Sequence, residues 1–208
     1  MAEIKVPVFF SGENPGMTLY APGTEQVAAV ASYWYCTDSP WGVGHALILW
    51  LGTETTTTTE IVRGSIFTDN LDLAQVLVNK LTQYFPEFKD IPVSTFAFVN
   101  ARCEHTFDGD CYRVMCQTPE TRIEMEWVGL LDRKQLIWPQ FPAGTAAFDL
   151  TTVICPCQIG RIQLNGRLME GEIKTSKTAN GRPSSTAFLA FAETWIGPLD
   201  GKEDEGPQ

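Results

Sequence analysis

The feature that most constrains the fold is the density of strand signals. Short β-prone apolar runs recur along nearly the whole chain, separated by clusters of Gly, Pro, Asn and Asp, and only one segment carries a helical period. Residues 27–36 read as a strand rich in Val, Tyr and Trp. Pro40-Trp41-Gly42 breaks that run, and residues 44–51 form a second apolar strand placed to pair with the first. Residues 4–10 are β-like, with Pro7 confining them to an edge or an extended arm. Further strands are predicted at 17–20, 61–67, 93–103, 111–116, 122–127, 147–155, 159–164, 168–173 and 186–196; residues 135–142 are irregular and punctuated by Pro. Two turn signals stand out. Asp108-Gly109 predicts a hairpin, and Asn165-Gly166 predicts a second one joining 159–164 to 168–173.

The helical segment is residues 70–85. Leu73, Leu77 and Leu81, with Ala74, Val78 and Phe85, repeat at the spacing of one helix face. Asp69 is placed as its N-cap, Asp72 favours the N-terminal dipole, and Pro86 ends it. The expected fold class is therefore all-β: an antiparallel jelly-roll-like sandwich with one amphipathic helix near 70–85. It is expected as a single domain over 1–200 with an acidic mobile tail over 201–208.

Composition narrows the function classes. The 208 residues carry a formal charge of −10, with 44% hydrophobic and 19% charged residues. An acidic balance argues against direct nucleic-acid binding, which needs a basic patch. The apolar run 46–51 is far too short to span a membrane. The Met-Ala-Glu-Ile-Lys start has no signal-peptide pattern, so a cytoplasmic location is expected, and the six cysteines are expected to be reduced. The low charge fraction suggests surface covered by partners, hence a homo-oligomer or packing against related subunits. Five consecutive Thr within 53–60 predict an exposed loop or strand edge.

Candidate chemistry is sparse. Cys103, His105, Asp108 and Asp110 lie close in sequence with Cys111 and Cys116, but no zinc spacing joins them, and two carboxylates are too few for calcium. Cys155-Pro156-Cys157 places two thiols on one strand face. No metal and no cofactor are expected. Phosphate-loop, dinucleotide and nucleophile-elbow motifs are absent from the sequence. His45 and His105 are the only histidines and the only candidates for acid–base work, with a nearby Cys or Asp as partner. Trp34, Trp50 and Trp127, with His45, are candidates to line a ligand pocket, against the alternative that they fill a core.

Two segments carry a resemblance. Val27-Ala28-Ala29-Val30-Ala31-Ser32-Tyr33-Trp34, and the closing run Phe188-Leu189-Ala190-Phe191-Ala192-Glu193-Thr194-Trp195-Ile196-Gly197-Pro198, are similar to strands of the jelly-roll coat proteins of picornavirus-like viruses. That resemblance implies an eight-stranded jelly roll that tiles a shell. The chain departs from the pattern in lacking a basic arm. The leading expectation is a non-enzymatic structural subunit that self-assembles, a viral capsid protein located in the virion. The alternative is an intracellular β-barrel that binds a small apolar ligand, or an enzyme using His45 or His105.

Overall fold

A computed structural model describes residues 7–52, 64–143 and 146–197. The Thr-rich loop at 53–60, the first residues of the strand predicted at 61–67, and the tail at 201–208 lie outside the described residues. Over the described residues the fold is all-β with a single α-helix. Its order is β1 (Val8–Glu13), β2 (Gly16–Tyr20), β3 (Val27–Asp38), β4 (Gly44–Leu51), β5 (Gly64–Thr68), α1 (Leu71–Lys80), β6 (Ala97–Asn100), β7 (Arg102–Phe107), β8 (Cys111–Gln117), β9 (Arg122–Leu130), β10 (Lys134–Ala143), β11 (Ala146–Leu164), β12 (Arg167–Leu168), β13 (Thr175–Lys177), β14 (Pro183–Ser185) and β15 (Ala187–Ile196). Three short 3-10 turns follow α1, at Thr82–Tyr84, Pro86–Phe88 and Val93–Thr95.

The strands join in one continuous sheet rather than two separate layers. Its main path runs β6-β5-β4-β3-β1-β15-β11-β9-β8-β7, with β2, β10 and β12 pairing off it and β13–β14 apart. All pairs are antiparallel except β5–β6. The sheet folds back on itself because its middle strands are apolar on both faces. In β3, Ala29, Ala31 and Tyr33 enter one core, while Val30, Trp34 and Cys36 enter the other. In β4, Leu47, Leu49 and Leu51 join the first, and Ala46 and Ile48 the second. The period of two thus distributes one strand between two cores. The first core is closed by β8, β9 and β11, through residues such as Tyr112, Met125, Trp127 and Ile162. The second is closed by α1, the 3-10 turns and β10.

The same arrangement accounts for the low charge fraction. A sheet buried on both faces needs little charged surface, so the composition does not require lateral contacts between copies. It also explains the coat-like segments: in Ser32-Tyr33-Trp34, Tyr33 and Trp34 are core residues on opposite faces.

The helix covers the second core with Leu73, Ala74, Leu77 and Val78. It is shorter than the expected 70–85: α-helical geometry stops at Lys80, and 3-10 turns carry the chain through Pro86. Both predicted hairpins form. Asn165 and Gly166 take positive φ values of 51° and 77°, as a two-residue hairpin turn requires. The returning strand β12 pairs over only two residues, after which Glu172 bridges to Tyr20.

Candidate functional site

The helix start is where the expected cap and the structure differ, and the difference builds a site. The N-cap of α1 is Asn70, whose Oδ1 accepts the Leu73 N–H at 3.1 Å. Its Nδ2 donates to the carbonyls of Trp41 and Val43, at 2.9 and 3.1 Å, tying the helix to the β3–β4 loop. Asp69, expected as the cap, is turned instead toward His45. Its Oδ2 meets His45 Nδ1 at 2.6 Å and its Oδ1 accepts the His45 backbone N–H at 2.7 Å. Thr68 completes the clamp by donating its hydroxyl to the His45 carbonyl at 2.7 Å. Gly44 lets these elements approach: a Cβ there would stand 2.7 Å from Asn70 Cβ and 2.9 Å from Asp69 Oδ1.

His45 is directly opposite Tyr35 in the β3–β4 pairing. The two rings stack, with centroids 5.0 Å apart and planes 13° from parallel. Tyr35 also meets His105 from β7, at 4.3 Å. The fold therefore brings both histidines of the chain into one aromatic cluster, their rings 5.9 Å apart. Tyr33 lies behind them, its hydroxyl 3.4 Å from His105 Nδ1. Tyr112 stacks on His105 at 5.5 Å and donates its hydroxyl to Glu13 Oε2 at 2.6 Å.

The electrostatics separate the roles of these groups. Burial works against ionisation of Asp69, but hydrogen bonds from the His45 ring and backbone N–H, together with the ring's charge, outweigh it and hold the carboxyl below its ordinary value. Burial pushes His105 down; Glu13 opposes this and His45 adds to it, so His105 favours the neutral ring. Burial raises the Tyr33 and Tyr112 phenols well above the ordinary tyrosine value, so both stay protonated. An ionised Asp69 accepts the Nδ1 proton of His45, which leaves the lone pair of the neutral imidazole on Nε2.

His45 and Asp69 line an open cleft of about 530 Å³, together with Tyr35, Cys36, Thr37, Val43 and Gly44. A smaller hollow of about 370 Å³, between Leu19, Gly160, Met169 and Ile173, is lined by no histidine or cysteine.

The other candidates fall elsewhere. Trp34 and Trp127 are fully buried in the two separate cores, and Trp50 packs against the second, so they fill cores and line no common pocket. Of the metal candidates, Cys103 lies in the first core and His105 in the aromatic cluster. Asp108 caps the β7–β8 turn by accepting the Asp110 and Cys111 N–H groups, and pairs with Arg113. Asp110 is exposed in that turn. Among the described residues no three His, Cys, Asp or Glu side chains converge on a point that suits a metal ion. Asp69, Tyr33, Tyr35, Tyr112 and Glu13 were not foreseen as site residues. The one available signal was the β3–β4 hairpin, whose register sets Tyr35 against His45.

No family model and no curated protein matches the chain. Two solved structures are similar over most of its length. One is an acetoacetate decarboxylase, at a TM-score of 0.43 and 10% identity, covering 91% of this chain and 86% of that one. Another is the acetoacetate decarboxylase of Legionella pneumophila subsp. pneumophila str. Philadelphia 1, at a TM-score of 0.37 and 12% identity, covering 93% and 86%. At these scores the likeness carries neither substrate nor chemistry to this chain. The matched structures are not coat proteins, and this corrects the expected capsid subunit and virion location. Among the described residues no helix is long and apolar enough to cross a membrane.

Proposed function

We propose that this chain is an enzyme acting on a small molecule by general acid–base chemistry, with His45 as the proton-transferring group and Asp69 as its positioning residue. The observation that carries this reading is the two-point hold of Asp69 on His45 at the wall of an open cleft. Such a hold selects one tautomer and one ring orientation. It also stabilises the imidazolium formed when Nε2 accepts a proton, because the carboxylate is already ionised and aligned. The proton then returns from Nε2 to the substrate or its leaving group.

The lining suggests the class of substrate. Among the described residues it includes the carboxylate of Asp69 and no Lys or Arg. Neutral or cationic molecules therefore fit better than anions. Tyr35 and Val43 offer an apolar wall, and Thr37 a hydroxyl.

The test is a panel of neutral, cationic and anionic metabolite-sized molecules, read first through the ring NMR signals of His45 and His105 and then by turnover. Neutral or cationic ligands are expected to shift those signals. Turnover of a ligand so found is expected to fall by about 10²–10⁴-fold in His45→Gln. Ligands that perturb only residues outside the cleft, or turnover that survives His45→Gln unchanged, would overturn the reading.

A further inference from the structure

The β7–β8 hairpin closes on a hydrogen bond from the Asp108 N–H to the Cys111 carbonyl, at 3.3 Å. From there its pairing runs without a register shift, from Phe107 opposite Tyr112 to Arg102 opposite Gln117. Hydrogen-bonded and non-hydrogen-bonded rungs alternate along an antiparallel pair, and side chains stand closer on the latter. Counting from the closing bond, the rungs 107/112, 105/114 and 103/116 are of the second kind. Cys103 and Cys116 thus face each other across a close rung. Cβ atoms of directly opposed residues stand roughly 4.5–5.5 Å apart, the closer end belonging to such rungs. A disulfide spans about 3.5–4.5 Å between Cβ atoms. The two Sγ atoms are in contact at 2.7 Å. All six cysteines are free thiols in the structure. Cys155 and Cys157 do not offer the same opportunity: both point into the first core from one strand face, so their Cβ atoms stay about one two-residue rise apart, roughly 6.5 Å, beyond the span of a disulfide.

We infer that Cys103 and Cys116 form a reversible cross-strand thiol–disulfide couple, which exchanges with a low-molecular-weight disulfide. Cys103 is the more exposed of the pair, at 7% against 0%. Its sulfur gives up its proton to solvent and attacks one sulfur of the small disulfide. The new bond joins Cys103 to that sulfur, and the other leaves as a thiolate that takes up a proton. Cys116, losing its own proton, then attacks Cys103 Sγ; the protein disulfide forms and the second small thiol is released. Two electrons pass from the protein to the small disulfide, which leaves as two thiols. Burial raises the Cys116 thiol, so the more exposed Cys103 is the sulfur that reacts first with the small disulfide.

The couple adjoins the histidine cluster. The next close rung is His105 opposite Val114. A bond that draws Cys103 toward Cys116 therefore acts on the strand that positions His105 against Tyr33 and Tyr35.

The test equilibrates the full chain in glutathione–glutathione disulfide buffers of graded ratio, from reduced protein and from protein refolded under oxidation. Free thiols are alkylated under denaturing conditions and peptides are mapped by mass. Both starting points are expected to converge on one linkage, Cys103 to Cys116, with a loss of about 2 Da for the two hydrogens. His105 ring signals are expected to shift with the oxidised fraction. Cys103→Ser and Cys116→Ser each remove the linkage, and Cys111→Ser keeps it. Six alkylated thiols from both directions in the most oxidising buffer, or a different linkage in the wild-type map, would overturn the inference.

Discussion

Asp69 holds His45 at two points, the ring Nδ1 at 2.6 Å and the backbone N–H at 2.7 Å, and both oxygens of the carboxylate are committed to one residue. An aspartate at the entrance to a helix ordinarily serves the helix. Here Asn70, one position later, takes that task and frees Asp69 for the histidine.

Asp69→Asn should change the tautomer of His45 before it changes anything else. A carboxylate facing Nδ1 favours the Nδ1–H tautomer of the ring, with the lone pair on Nε2. With the carboxylate gone, the Nε2–H form is expected to gain population. Long-range nitrogen–proton NMR of the histidine rings distinguishes the two; an unchanged tautomer would show that Asp69 does not orient the ring.

Leu77→Ala should destabilise the fold by about 2–5 kcal/mol, because the side chain is buried under α1 and its removal leaves a cavity. Urea unfolding measures it. A cost below about 0.5 kcal/mol, the usual range of surface substitutions, would mean that the helix does not pack there.

Glu193 makes stability fall as pH rises. It is buried, accepting Trp195 Nε1–H at 2.7 Å and Asn14 Nδ2–H at 3.4 Å. Burial pushes its carboxyl from 4.5 up to about 7 despite those bonds. Between these values the folded chain binds more protons at this site than the unfolded chain, so unfolding free energy declines with pH across that window. The decline from this group is on the order of 3 kcal/mol. His105, held low, acts in the opposite direction near its own range. The informative quantity is therefore the difference between wild type and Glu193→Gln, measured by denaturant unfolding at several pH values. That difference should vary between about pH 4.5 and pH 7 and level off above; a constant difference would place Glu193 at an ordinary value.

Gly12→Ala should disturb both fold and site. A Cβ at Gly12 would stand 1.9 Å from the Tyr35 carbonyl oxygen, so β1 and β3 cannot keep their spacing. A cost of about 2 kcal/mol or more is expected. Displaced His45 and His105 ring signals should accompany it, since Tyr35 stacks on the first and meets the second at a tilt. Unfolding curves and histidine spectra of the same sample test the two effects together.

By itself the sequence determined most of the elements, though not β10, whose Pro-punctuated residues 135–142 read as irregular, nor the continuity of β11 through Pro156. Period-two runs, one helical face and two Gly-containing turns are local signals, and local backbone and side-chain preferences decide them. The all-β class, α1 and the hairpins at Asp108-Gly109 and Asn165-Gly166 were legible for that reason. Tertiary structure decided the rest. Whether Trp34 faces a pocket or a core depends on what covers the other side of β3, and no local pattern carries that. His45, Asp69 and His105 come from three separated segments. They meet only because β4 pairs with β3, α1 starts beside the β3–β4 loop, and the sheet folds back to bring β7 over them. The contact of Cys103 with Cys116 lies between these cases. The turn residues foretell the hairpin, but the hydrogen-bonding phase that makes 103/116 a close rung is set by where the turn closes, at Asp108 and Cys111. Long-range pairing is a balance of burial over the whole sheet, so a site assembled from three separated segments has no signature in any one of them.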